Sequence, residues 1–346
     1  MASSGNDRPR RDGRRVGMAL IGCGSITEVV HLPIILRSQQ GELRALVDAD
    51  RGRAEALRGR FGLACAVGAS VDELPEDVTA AVVAVPNVAH APVTSALLER
   101  GIHVLCEKPL ALTWSEALGL CSLAEQRRAV LAVGFAQRFH PSTHLLTAAL
   151  ENGLIGDVLS YDAEFGVRFD WPTVSGFYFD RARAGGGVVM SEGIHTLDRL
   201  IHWFGDVTDV TAADNNHGRI ETEATLHLTH QRGVLGRARF SWLYDLRNTL
   251  EVRGSEGRAV VSRDDPWSVS LYRTLGGREW RFDMRDAEEP VRVGLDHFEA
   301  QLADFLDAVT TGRKPCVDGR EGAKVIWLVE EAYRRATRLV HSWGAS

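Results

Sequence analysis

The sequence predicts an α/β protein in two parts: a doubly wound parallel sheet, then an α+β domain with a large, mostly antiparallel sheet open on one face. Apolar runs alternate with helix-like stretches from residue 16 to 135, the order that a parallel sheet with crossover helices requires. A glycine turn follows the first run, and an acid closes the second. Beyond Pro141 the apolar period changes to two, the mark of strands with one face in a core and one in solvent.

In the first part, strands read as 17–22, 43–48, 80–85, 102–106 and 129–135, with helices at 26–39, 51–61, 89–100 and 113–127. The third of these helices places Val93, Ala96 and Leu97 at apolar positions and stops at Gly101. A helix at 142–152 ends at Gly153. Strands follow at 159–165, 222–228, 234–244, 248–253, 258–261, 268–273 and 279–283, interrupted by a helix near 188–204. Helices at 293–311 and 320–341 close the chain. The organisation expected is a disordered leader over 1–15, a first domain over 16–136 and a second over 137–346.

The 346 residues suffice for two domains, and 45% apolar content fills sizeable cores. No apolar run reaches the roughly 18 residues of a membrane span. Met1 to Arg15 is polar, with no apolar segment after its charges, so it does not read as a secretory signal. Its five Arg and two Asp make it +3, which leaves −9 for the rest of a chain of net charge −6. That acidic body argues against a nucleic-acid partner and admits a cationic substrate. Cysteines at 23, 65, 106, 121 and 316 form no Cys-x-x-Cys pair and no tight Cys/His cluster. Their odd, scattered distribution fits reduced thiols, a cytoplasmic location and no bound metal.

Residues 19–24, Ala-Leu-Ile-Gly-Cys-Gly, and Asp48 at the end of Leu43-Arg44-Ala45-Leu46-Val47-Asp48 form a dinucleotide-binding fingerprint. Gly22 makes the sharp turn. Gly24 lets the backbone N–H groups that follow, at Ser25 and Ile26, approach a pyrophosphate at a helix N-terminus. Asp48 suits the adenosine ribose hydroxyls, which favours NAD over NADP. Arg51 and Arg53 follow it, and read either as tolerating a 2′-phosphate or as the exposed face of the next helix. Thr27 stands where the fingerprint has a third glycine, so looser helix–strand packing is expected.

Glu107-Lys108-Pro109 ends the fourth strand, and ligands of open α/β sheets bind at strand carboxyl ends. That places Lys108 near a nicotinamide, although the same residues also read as a surface pair before a proline whose isomer the sequence leaves open. Pro86-Asn87 follow another strand end, with His90 either lining a cofactor or serving the turn. Gly185-Gly186-Gly187 suit a phosphate cradle or a flexible helix entrance. On the helix that follows, Ser191, His195 and Asp198 share a face, with Glu192 about 100° away. His195 with Asp198 suits a proton-transfer group and its orienting acid, or an interface histidine beside a surface carboxylate. Phe169, Trp171, Phe177 and Tyr178 surround Asp170 and Asp180, either to cover a sugar or to pack a loop on itself. Asp162, Glu164 and Glu223 read as sheet surface.

The order of these pieces, with Gly134-Phe135, Arg138-Phe139 and Pro141 between them, resembles the Gfo/Idh/MocA oxidoreductases, the family of glucose–fructose oxidoreductase and inositol dehydrogenase. The resemblance runs from residue 16 to about 340. It implies a Rossmann domain binding NAD(P), hydride chemistry on sugar or cyclitol carbinols, and a homodimer or homotetramer built through the open sheet face, near Phe240, Trp242 and Leu250. By position, Lys108 would contact the nicotinamide ribose and the substrate hydroxyl, and His195 would be the acid/base. Candidate cofactor contacts are Gly22, Gly24, Ser25, Ile26, Asp48, Pro86, Asn87, His90, Glu107 and Lys108. Candidate contacts to a small polyhydroxylated substrate are Lys108, Arg138, Trp171, Ser191, Glu192, His195 and Asp198. Many relatives carry aspartate where Ser191 stands and a polar residue where Ala136 stands. The relay then falls to Glu192 or Asp198, or Lys108 takes the larger share. The activity expected is NAD-dependent interconversion of a secondary alcohol and a ketone on a sugar, an amino sugar of aminoglycoside type or a cyclitol. The alternatives are an NADP-dependent nucleotide-sugar ketoreductase and a non-catalytic NAD(P)-binding regulator.

Overall fold

The computed structural model describes residues 15–170, 176–216, 219–275, 278–285 and 295–339. Trp171 and nearly all of the expected leader lie outside them. No described helix is long and apolar enough to cross a membrane.

The first sheet contains β1 (Val16–Ile21), β2 (Gly41–Val47), β3 (Ala66–Gly68), β4 (Ala80–Val83), β5 (His103–Cys106) and β6 (Leu131–Val133), all parallel, in the order β3-β2-β1-β4-β5-β6. Its central strands β1 and β4 are continuous apolar runs because helices cover both faces. One face packs on α1 (Leu32–Arg37) and α2 (Arg51–Phe61), the other on α3 (Asn87–Glu99) and α4 (Trp114–Arg127). A Thr113–Glu116 capping box starts α4. The order reverses between β1 and β4, which opens a crevice at their carboxyl ends.

The chain then forms α5 (Pro141–Glu151), β7 (Val158–Gly166), α6 (Arg181–Ala184), α7 (Ile194–Phe204), β8 (Val207–Asp214), β9 (Glu223–His230), β10 (Leu235–Ser241), β11 (Thr249–Gly254), β12 (Gly257–Ser262), β13 (Ser268–Leu275), β14 (Arg278–Arg285), α8 (Asp296–Thr311), α9 (Gly319–Arg335) and β15 (Ala336–Arg338). The second sheet runs β14-β13-β12-β11-β7-β10-β9-β8-β15. Among the described strands of this sheet, only the β7–β10 and β8–β15 pairs are parallel.

Three strands, β3, β8 and β15, have no counterpart among the segments read from the sequence. The last helix stops at Arg335, not 341, because Ala336 turns extended and pairs with β8. Helix α8, expected with the second domain, packs on the first sheet: Leu302, Phe305 and Leu306 join Met18, Leu20 and Leu46 in one core.

The open face of the second sheet differs from the expectation. Phe240, Trp242 and Leu250 are at most 5% exposed and point into the covered side. The opposite face carries a lattice of charge: Arg237 and Arg247 each bridge Asp162 and Glu164, and Arg239 binds Glu223. Leu235, two residues before Arg237 on β10 and on the same face, is 57% exposed beside this lattice.

Arg138, in the turn after β6, ties the two parts together. Its Nε and Nη2 donate to both oxygens of Asp198 on α7 at 2.6 and 2.9 Å, with both side chains almost fully buried. Glu321 of α9 adds a longer contact at 3.5 Å. Removing one partner of such a pair leaves a buried charge uncompensated. Arg138→Ala is expected to lower the free energy of unfolding by about 3–5 kcal/mol, measured by urea denaturation. A loss below about 1 kcal/mol would mean that the pair is not holding this joint.

Candidate active site

The crevice at the ends of β1, β2, β4 and β5 brings together the glycine turn, Asp48 and Lys108. Gly22 has φ +95°, and a Cβ there would collide with the Ala84 carbonyl, so the fold itself demands glycine. Gly24 is different. A Cβ at that position meets nothing within 4 Å, and Gly24, Ser25 and Ile26 are partly exposed at the helix entrance. Nothing among the described residues requires a glycine at residue 24, whereas close approach of a pyrophosphate would. Thr27 does not loosen the packing. Fully buried, its hydroxyl donates to the Gly22 carbonyl at 2.6 Å. The helix opens as a wide π turn over Thr27–His31, with Pro33, which has no N–H, just beyond.

The Asp48 carboxylate accepts the Cys23 N–H at 2.8 Å and the Asp50 N–H at 2.9 Å, so it holds both loops that would frame an adenosine ribose. Arg51 pairs with Glu55 and Glu73 on the exposed side of α2. Arg53 instead turns back, with Nη1 3.4 Å from each Asp48 oxygen.

Lys108 follows β5, and its peptide bond to Pro109 is cis. Its ammonium donates to the Ser191 carbonyl at 2.7 Å, one turn before His195. A side chain of the first sheet thus meets the helix of the second. That bond uses one of the three ammonium donors. Glu107 points the other way, into the protein, where His31 Nε2 lies 2.8 Å from its Oε1. Burial alone would raise the Glu107 pKa. The hydrogen bond and charge of His31, with Lys108, outweigh it and hold the carboxyl below the usual carboxylate value. His31 carries no signal in the sequence beyond a place on the first helix.

Other expected cofactor contacts are committed elsewhere. His90 is buried, with one ring nitrogen 2.9 Å from the Val85 carbonyl and the other 2.5 Å from that of Pro109. It therefore clamps two strand-end turns together. Asn87 Nδ2 donates to the Ala184 carbonyl at 2.8 Å, while Pro86 caps α3 and stays partly exposed at the crevice.

The glycine triplet is not a phosphate cradle. A Cβ at Gly187 would strike the Glu221 carbonyl, and one at Gly186 the Tyr333 hydroxyl. The Glu221 carboxylate, fully buried, accepts N–H bonds from Gly187 at 2.9 Å and Val189 at 3.1 Å, and the Tyr333 hydroxyl at 2.6 Å. An internal acid occupies the anion position at this helix start.

Ser191 and His195 lie across a junction, a π turn over Val189–Gly193 giving way to α7. Asp198 does not orient His195, because Arg138 takes both of its oxygens. Arg138 and Asp198 are for the same reason not free for a substrate. Glu192 faces Arg263 at 3.5 Å. His195 Nδ1 and Ser191 Oγ are buried with no hydrogen-bond partner among the described residues. Burial, with the charges of Lys108, Arg199 and Arg263, pushes the His195 pKa well below 6.5. Tyr178 reaches the same neighbourhood; burial, then the charges of Glu107 and Glu192, raises its phenol to about 12. The remaining aromatics largely pack together, Phe169 on Trp242 at 4.8 Å and on Phe179 at 5.2 Å, and Asp180 caps α6. Among the described residues no cluster of His, Cys, Asp or Glu suits a metal.

Comparison with known proteins places the fold. Residues 16–135 match the family described as oxidoreductase family, NAD-binding Rossmann fold, and residues 143–260 match the GFO/IDH/MocA C-terminal domain. The chain is 28% identical over 310 residues to dTDP-3,4-didehydro-2,6-dideoxy-alpha-D-glucose 3-reductase from Actinomadura kijaniata, covering 87% of this chain and 89% of that protein. It is 27% identical over 328 residues to D-xylose 1-dehydrogenase (NADP(+)) 2 from Haloferax volcanii, covering 93% and 96%. Its fold is shared with levoglucosan dehydrogenase in complex with NADH and levoglucosan, at a TM-score of 0.81 and 20% identity over 93% of this chain and 98% of that one. A nucleotide-binding sheet matched across its whole length, followed by a matched partner domain, makes this chain an oxidoreductase of the Gfo/Idh/MocA family.

Proposed function

We propose that the protein is an NAD-dependent oxidoreductase that interconverts a secondary alcohol and a ketone on a sugar, amino sugar or cyclitol. The observation that carries this reading is the convergence at Ser191: the Lys108 ammonium rests on its carbonyl, and His195 lies one turn on. Two proton-handling groups from two sheets therefore border one spot, at the crevice where open α/β sheets bind ligands. A bound nicotinamide supplies the hydride acceptor. The chain's own residues bind and orient the hydroxyl, and move its proton. Lys108 has N–H donors to spare for a substrate oxygen. His195, held neutral by burial and surrounding cations, is a weak base without an orienting acid. Lys108 takes the larger share: in reduction its ammonium gives a proton to the ketone oxygen as the carbon receives the hydride, and in oxidation the neutral amine takes the hydroxyl proton as the hydride leaves.

NAD is favoured by Asp48, whose carboxylate faces the place of a ribose and repels a 2′-phosphate. Arg53 supports a second reading, tolerance of NADP, because its guanidinium stands beside that carboxylate. The unmodified protein is expected to bind NAD more tightly than NADP in fluorescence titrations, and Arg53→Ala to widen the gap. NADP binding at least as tight as NAD would overturn the preference.

The glycines separate fold from ligand. Gly24→Val is expected to abolish NAD binding with the circular dichroism spectrum and melting temperature retained, because its side chain enters open space. Gly22→Val is expected to fail in folding. Undiminished NAD affinity in Gly24→Val would move the dinucleotide site elsewhere.

For proton transfer, Lys108→Ala is expected to lower kcat by about 10²–10⁴-fold with NAD binding largely kept, and His195→Ala by less. The His195 ring is expected to stay neutral in an NMR titration through pH 6.5, the ordinary histidine value. Less than about tenfold loss in both variants would sink the assignment.

A further inference from the structure

Helix α7 presents a second row of side chains that the proton transfer does not use. Thr196 and Arg199, with Glu192 just before the helix, line a pocket bounded by Phe165 on β7, Arg263 after β12 and Ser142 on α5. Arg199 is only 6% exposed, and its Nε has no hydrogen-bond partner among the described residues. Its guanidinium forms no ion pair among them either, and lies 5.9 Å from the Phe165 ring and 5.6 Å from that of Trp203. The carboxylate next to it in sequence, Asp198, is taken by Arg138. Ser142 Oγ, in a residue 1% exposed, also lacks a hydrogen-bond partner among the described residues. Arg263, half-exposed, stands 3.5 Å from Glu192 at the pocket wall. Arg199 feels the charge of Asp198 without a direct ion pair to it, and a buried guanidinium in that state is costly, a cost that a bound anion would offset.

We propose that this pocket binds an oxyanion carried by the substrate, a carboxylate or a phosphate, with Arg199 as its anchor and Arg263 and Ser142 completing the grip. The inference rests on the dehydrogenase reading for the word substrate. The guanidinium fork matches both anions, which a point-charge lysine would not. The chain as a whole is acidic, but the local charge here is the reverse of what a cationic substrate needs. The position is also useful to the chemistry: Arg199 and Arg263 both depress the His195 pKa, and an anion between them opposes that effect.

The test is calorimetric titration of the full-length protein with D-glucuronate, D-glucose 6-phosphate and D-glucose. At least one charged sugar is expected to bind about tenfold or more tightly than glucose, the lower end of what a hydrogen bond to a charged group contributes. The two charged arms distinguish carboxylate from phosphate. Arg199→Met is expected to remove that preference, and Arg199→Lys to restore part of it. Arg199→Met is also expected to keep or raise the melting temperature, since it deletes an unpaired buried charge; a purely structural arginine would lower it. Should Arg199→Met fail to fold, Arg263→Gln at the half-exposed wall is expected to weaken the charged sugar several-fold. Glucose binding as tightly as both charged sugars, no binding of either charged sugar, or a preference intact in the arginine variants overturns the proposal. Failure of the dehydrogenase reading looks different: a charged sugar binds through Arg199, yet no polyol changes nicotinamide absorbance.

Discussion

The bidentate pair between Arg138 and Asp198 is the constraint on which the rest of the site depends. It joins the turn after β6 to α7 in the dry interior, and its two parallel hydrogen bonds fix an angle as well as a distance. With α7 held there, the carbonyl of Ser191 comes within reach of Lys108, and the His195 ring lies edge-on to Phe135 at 6.1 Å. Both residues of the pair looked like site groups in the sequence. In the structure they bind each other and hold α7 against the turn after β6.

A related device recurs at each loop of the crevice. Asp48 receives N–H groups from the glycine turn and from the turn after β2. Glu221 receives them from the entrance to α7. Glu107 is fixed by His31 beneath the strand end that carries Lys108. Tight turns leave backbone N–H groups without partners, and a carboxylate satisfies two or three of them at once. These acids make the loops rigid before any ligand arrives, so less ordering remains to oppose binding.

The charges left over are unevenly distributed. Around His195 the acids are committed to Arg138 and Arg263, whereas Lys108 and Arg199 retain capacity for an external oxygen. On the open face of the second sheet the opposite holds, and Arg237, Arg239 and Arg247 are matched by Asp162, Glu164 and Glu223. Local pairing, not net charge, decides what each surface can attract.

The sequence by itself determined the alternation of strands and helices, the glycine turn with Asp48, and the strand-end position of Lys108. These are local signals: a run of apolar residues, a turn that only glycine can make, a side chain at a fixed offset from a strand. Short strands escaped it, because the three residues of β3 or β15 carry no period of their own and exist only through their neighbours. Partnership escaped it as well. Spacing put Asp198 on the same helix face as His195, yet Arg138, sixty positions away, competes for the carboxylate with a bidentate grip that no imidazole can match. Likewise nothing local says that Glu221 fills the glycine triplet, that His31 lies under Glu107, or that Arg199 has no ion-pair partner among the described residues. Ion pairs and hydrogen bonds in a core are settled by which groups the packing brings within about 3 Å, and that is a property of the tertiary structure alone.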